Sequence, residues 1–153
     1  MIIFQNQTRE RMISFNYETN FKLENEECFE KWIQKIILNH NCEEGEINYI
    51  FCDDAYLLKL NIEFLQHDTL TDIISFDNSL GRLVGGDIFI STERVADNAN
   101  DFKVSFLEEL QRVMIHGVLH YIGFSDKTPE SQKEMTIQEN NALKELTNLM
   151  SIN

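Results

Sequence analysis

Between residues 11 and 17, Ile13, Phe15 and Tyr17 alternate with Met12, Ser14 and Asn16, which predicts a first strand with two unlike faces. The pattern then lengthens. Over 24–39, Phe29, Trp32, Ile33, Ile36 and Ile37 fall at helical spacing. Residues 46–52 (EINYIFC) are rich in β-branched and aromatic side chains and predict a strand. Asp53 and Asp54 then offer a cap for a helix to about residue 64, with Leu57, Leu58, Leu60 and Ile62 on its apolar face. Two further strands are predicted at 72–76 and 83–91, and Ser91-Thr92 provides an N-cap for a short polar helix to about residue 102.

The most apolar segment is 105–122, whose second half is hydrophobic nearly all round. That predicts a helix inside the core rather than on its surface. Thr128-Pro129-Glu130 supplies a cap, a proline suited to a first turn and an acid against the helix dipole. The last helix begins there, with Met135, Ala142, Leu143, Leu146 and Met150 as its apolar face. About four strands mixed with about five helices imply an α/β (α+β) architecture, a small mixed sheet packed with helices. The order of the strands is not legible from the pattern. A length of 153 residues with no linker or repeat fits one domain, 1–153.

Composition narrows the picture. With 42% hydrophobic residues and eleven Phe, one packed core is within reach, and no apolar run is long enough to cross a bilayer. The first residues lack the basic and apolar stretches of a secretory signal, and Cys28, Cys42 and Cys52 form no CxxC pair. The expectation is a cytoplasmic protein with free thiols and no membrane association. A net charge of −13 repels nucleic acid on average, so any RNA chemistry must be local to one site or use a bound cation.

One constellation carries chemistry. His116 and His120 are four residues apart on the apolar helix and therefore share a face, so both rings can reach one ion. Gly123 can end the helix in a conformation that suits glycine, and Asp126 then swings a carboxylate toward the same point. Two nitrogens and one oxygen leave a fourth position open, the layout of a catalytic zinc site. A metalloprotease would place Glu where Gly117 stands, so the usual peptidase base is missing, and the bare position is expected to admit a bulky substrate. The bland alternative is a pair of neutral core histidines bonded to backbone or carboxylates. No general base can be named, so the catalytic residues beyond the ligands are unknown.

These residues resemble the YbeY family of metal-dependent bacterial endoribonucleases. His116-Gly117-Val118-Leu119-His120, followed by Gly123, is similar to the family's HGxLHxxGxDH signature. Leu60-Asn61 with Thr71-Asp72-Ile73-Ile74-Ser75-Phe76 resembles its LN…TDVLSF stretch, and Gly86-Asp87-Ile88 its GDI segment. The resemblance implies one zinc ion per chain, held by His116, His120 and Asp126. It also implies single-stranded RNA as substrate and a role in ribosomal RNA maturation, with ribosomal particles as partners and no DNA. Small-subunit rRNA 3′-end processing and ribosome quality control are the finer expectations.

Two positions depart from the family. Its third ligand is usually His where this chain has Asp126, and its Arg five residues after the Leu of the LN pair is Leu65 here. Arg82, Arg94, Arg112 and Lys127 are candidates to replace that cation. Two other readings stand beside the nuclease: an iron enzyme that activates oxygen on a non-RNA substrate, and a non-enzymatic ribosome-associated factor with a structural metal site. Thr71, Asp72 and Asp87 either brace the site or serve local turns. His67 is expected in an exposed loop and His40 at a helix end, complementing the dipole. Gly85-Gly86 lacks the Lys-Ser/Thr of a phosphate-binding loop.

Overall fold

The computed structural model describes residues 12–67 and 69–152. Arg11, the first residue of the expected opening strand, lies outside them. The elements run β1 (Ile13–Tyr17), α1 (Glu26–Asn39), β2 (Glu43–Cys52), α2 (Asp54–Leu60), β3 (Ile73–Asp77), β4 (Leu83–Ser91), α3 (Thr92–Phe102), α4 (Phe106–Ile122) and α5 (Pro129–Ile152). The four strands form one sheet in the order β1-β2-β4-β3, with β3 antiparallel and the other pairs parallel. The α/β expectation with four strands and five helices is met.

Period-two patterning assigns the faces of the sheet. Ile13, Ile47, Tyr49, Phe51, Ile88 and Ile90 are fully buried against α1, α4 and α5. All five predicted apolar positions of α1 are buried, and the Trp32 indole N–H donates to the Ala142 carbonyl of α5 at 2.7 Å. A smaller cluster of Cys52, Leu57 and Ile74, with Phe76 and Phe89 packed on it, occupies the other face beneath α2.

The caps at Asp53 and Ser91 fall where the sequence places them, and Ser105, at the start of the predicted 105–122 helix, adds a further one. Asp53 accepts from the Tyr56 N–H, Ser91 from Arg94 and Ser105 from Glu108, each satisfying a donor that the first helical turn leaves open. Two elements differ from expectation. β2 starts three residues early, and a register shift between Glu44 and Ile47 absorbs the irregular Glu43–Gly45 segment. The predicted helix to residue 64 stops at Leu60 and continues as a wider π-type turn, Asn61–Leu65. The cause is Asn61: its buried side chain donates to the Thr69 carbonyl, and its own carbonyl accepts from the N–H groups of Gln66 and His67. Of the predicted apolar face only Leu57 is buried, and Ile62, Phe64 and Leu65 are exposed.

Helix α4 lies across the core face of the sheet, and its close approach depends on Gly117. A Cβ there would sit 3.0 Å from Ile88 Cδ1 and 3.2 Å from Ile73 Cδ1. The expectation that Gly117 opens room for substrate is therefore corrected: the position faces the sheet, because one residue along a helix turns the side chain about 100° away from His116. At the other end of α4 the Tyr121 hydroxyl donates to the carbonyls of Phe76 and Asp87, tying the helix to the β3–β4 pair. Gly86, at φ 152°, makes room for that ring.

Candidate metal centre

Helix α4 presents His116 and His120 one above the other, with ring centroids 4.5 Å apart. The helix ends at Gly123, whose φ of 125° few other residues adopt; its N–H still reaches the carbonyls of Leu119 and His120. The chain then turns back, and Asp126 returns to the same spot. Its Oδ2 lies 3.4 Å from His116 Nε2 and 3.3 Å from His120 Nε2, and the two Nε2 atoms are 2.9 Å apart. The three predicted donors lie within 4.8 Å of one another, a group that could hold a metal ion.

The far side of each ring tests that fit. His120 Nδ1 lies 2.9 Å from the Phe124 carbonyl, and His116 Nδ1 lies 2.7 Å from Glu139 Oε2. A carbonyl and a carboxylate can only accept, so both Nδ1 atoms carry the ring proton. In the neutral rings both Nε2 lone pairs then face the same point as a carboxylate oxygen. Three mutually repelling donors need a cation between them, or a proton when none is bound, and nitrogen and carboxylate oxygen suit a divalent transition metal.

Glu139 escaped the sequence reading. It falls in the apolar stripe of α5 with Met135, Ala142 and Leu146 and is 7% exposed. An acid inside a hydrophobic stripe is the signal that would have found it. Arg112 Nη1 donates to Glu139 Oε1 at 2.9 Å, and Nη2 to Asn140 Oδ1 at 2.9 Å. Burial works to lower the His116 pKa, but the Glu139 hydrogen bond and the charges of Glu139, Asp126 and Asp72 outweigh it and raise the value.

Beside His116 lies a cavity of about 120 Å³ lined by Asp72, Glu109, Arg112 and Glu139. Burial lifts the Asp72 and Glu109 carboxyls above their usual range. Asp72 is also bound by Asn98 Nδ2 at 3.4 Å, so of the two aspartates singled out in the sequence it is the one that faces the site. The Asp87 side chain accepts from Asn48 at 3.0 Å on the opposite face of the sheet from Ile88 and so points away from α4. Thr71 bonds its local turn, at the Ile73 carbonyl.

His67 is exposed, as expected. His40 caps the end of α1, and its ring packs edge-on against Phe124 with centroids 5.2 Å apart; burial lowers its pKa, which favours the neutral ring over a charge on the dipole. Of the four candidate cations only Arg112 lines the cavity, and it is engaged by Glu139 and Asn140. Arg94 is paired with Asp54 and Asp97, while Arg82 and Lys127 are exposed. Leu65 is 44% exposed. The three thiols are free, and no described helix is long and apolar enough to cross a membrane.

The family model described as Endoribonuclease YbeY matches residues 11–147. The chain is 58% identical to the Endoribonuclease YbeY of Flavobacterium johnsoniae over 84% of this chain and 92% of that one. It is 54% identical to that of Christiangramia forsetii, over 83% and 89% respectively. A solution structure of a Thermotoga maritima protein superposes with a TM-score of 0.61 at 22% identity, covering 92% of this chain and 93% of that one, which shows a shared fold.

Proposed function

The chain belongs to the YbeY family of endoribonucleases, and from that premise we propose that it is a zinc-dependent endoribonuclease. Its substrate is single-stranded RNA in ribosomal RNA maturation, including small-subunit 3′-end processing and ribosome quality control. His116, His120 and Asp126 hold one ion per chain, residues 1–153 act as one domain, and the setting is the cytoplasm, on ribosomal particles. The observation that supports this most is the convergence of two Nε2 atoms and the Asp126 carboxylate, with both Nδ1 atoms held by acceptors.

A divalent cation bound there supplies a Lewis acid that brings the pKa of water toward neutrality and draws charge from a phosphoryl oxygen. The chain's own residues prepare that chemistry. His116 and His120 present bare Nε2 atoms because Glu139 and the Phe124 carbonyl retain the ring protons. Asp126 keeps a half-exposed carboxylate beside the pair, so a phosphodiester could reach the three donors from solvent. Arg112 offsets the Glu139 charge, which limits the negative field that an RNA phosphate meets in a chain of net charge −13.

Elemental analysis of protein purified without added metal tests the assignment, alongside cleavage of single-stranded and duplex RNA. The wild type is expected to carry about one equivalent of zinc and to cut single strands, and Asp126→Ala to lose most of both. Equal metal contents would reject Asp126 as a ligand. Bound iron with oxygen-dependent turnover would favour an oxygen-activating enzyme instead.

A further inference from the structure

Glu139 belongs to α5, a helix that supplies none of the three converging donors. It is nevertheless fixed at both oxygens: Arg112 Nη1 donates to Oε1 at 2.9 Å, and His116 Nδ1 to Oε2 at 2.7 Å. We infer that Glu139 is a positioning residue of the metal centre, with Arg112 deciding which of its atoms meets His116. Together they hold the His116 ring proton on Nδ1 and leave Nε2 bare for the cation. The inference rests on the reading of His116 as a ligand.

A neutral imidazole carries one proton, and the partner of each nitrogen decides where it sits. An ionised carboxylate has no hydrogen to offer, so Glu139 admits only the Nδ1–H form. An isosteric amide behaves differently. Arginine has donors and no acceptor, so in Glu139→Gln the Arg112 guanidinium claims the single amide oxygen. The amide NH2 group is then left facing His116 Nδ1. That nitrogen must accept, and the ring proton moves to Nε2, the atom required for the metal.

Arg112 thus supports the site in the wild type and works against it in the Gln variant. Deleting Arg112 in that background frees the amide to turn its oxygen toward His116 and restore the Nδ1–H form. Glu139 acting only as packing would give no such reversal, because removing Arg112 would then add a second defect to the first.

The test measures zinc affinity by competition with a chromophoric chelator, and the tautomer of His116 in metal-free protein by ¹⁵N NMR at a pH where the ring is neutral. Circular dichroism confirms that each variant is folded. Glu139→Gln is expected to lose roughly 10- to 100-fold in affinity and to show Nε2–H. Arg112→Met alone is expected to keep the Nδ1–H ring, since either Glu139 oxygen can accept, and to lose less affinity than Glu139→Gln, while Arg112→Met with Glu139→Gln is expected to regain part of the loss and return to Nδ1–H. A folded Glu139→Gln protein with wild-type affinity and an Nδ1–H ring would overturn the inference, and a double variant binding no better than Glu139→Gln would overturn the part given to Arg112. Wild-type protein that takes up no zinc would reject the metal reading itself, while the tautomer in the metal-free chain still decides what Glu139 does.

Discussion

His116 Nε2 and His120 Nε2 lie 2.9 Å apart, each within 3.4 Å of Asp126 Oδ2, while both Nδ1 atoms face acceptors. Such crowding of donors is relieved by a shared cation, so metal should stabilise the fold. Free zinc at a hundred times its dissociation constant adds about 2.7 kcal/mol through mass action. A thermal melt with and without chelator should show a clear rise in Tm for the wild type and none for His120→Ala. An equal rise in both proteins would count against the site.

Asp126 stands where the family usually has His, and either side chain is a competent zinc ligand. Asp126→His is therefore expected to keep about one equivalent of zinc, whereas Asp126→Ala loses it. Metal content after gel filtration distinguishes the three proteins. Loss in Asp126→His as large as in Asp126→Ala would show that the loop after Gly123 is shaped for the shorter acid alone.

Glu109 is 5% exposed, and its carboxyl is raised above the usual range, first by burial and then by the charge of Asp72, against the pull of Arg112. A carboxyl raised in the folded state contributes stability that is full below its unfolded pKa, near 4.5, and is lost as pH climbs through the folded value. Glu109→Gln should accordingly raise Tm at pH 7, and the gain should shrink toward zero as pH falls below about 4.5. Melts across that range check the sign. A gain that grows on acidification would contradict it.

Gly117 has Ile88 and Ile73 where a methyl group would go. Gly117→Ala forces α4 outward or bends those side chains, at about 1–3 kcal/mol. Urea unfolding should show that loss, while the folded fraction should still bind zinc, since the new methyl points at the sheet and not at the ion. A stable variant with impaired metal binding would reverse this reading of the position.

Leu65 is exposed, so an arginine there has room without disturbing the core. If this segment borders the RNA path, as the resemblance to the family implies, Leu65→Arg should tighten single-stranded RNA binding. It should also steepen the dependence of log K on log salt by about 0.7, the expectation for one added phosphate contact on a single strand. An unchanged salt slope would place the segment outside the path.

Most elements were legible because their causes are local. The five buried positions of α1, the caps at Asp53 and Ser91, and the ends of β4 and α3 all follow from periodicity and from donors that a first helical turn leaves open. The end of α2 was not legible. Asn61 reads in sequence as one polar residue in a helical run, and only its bond to the Thr69 carbonyl turns the chain out of that helix.

The candidate site divides along the same line. His116, His120, Gly123 and Asp126 stand within eleven residues, close enough for helix geometry and one turn to bring them together, so their spacing alone announced the convergence. Glu139 is twenty-three residues from the His116 it bonds, and Asp72 arrives from the residue just ahead of β3. Which acid meets which ring is decided by how α5 and β3 pack around α4. The direction of Gly117 and the order of the strands were settled in the same way, by the fit of whole faces against one another. Spacing along the chain constrains backbone geometry over a few turns, and contacts between distant segments depend on packing that no spacing rule contains.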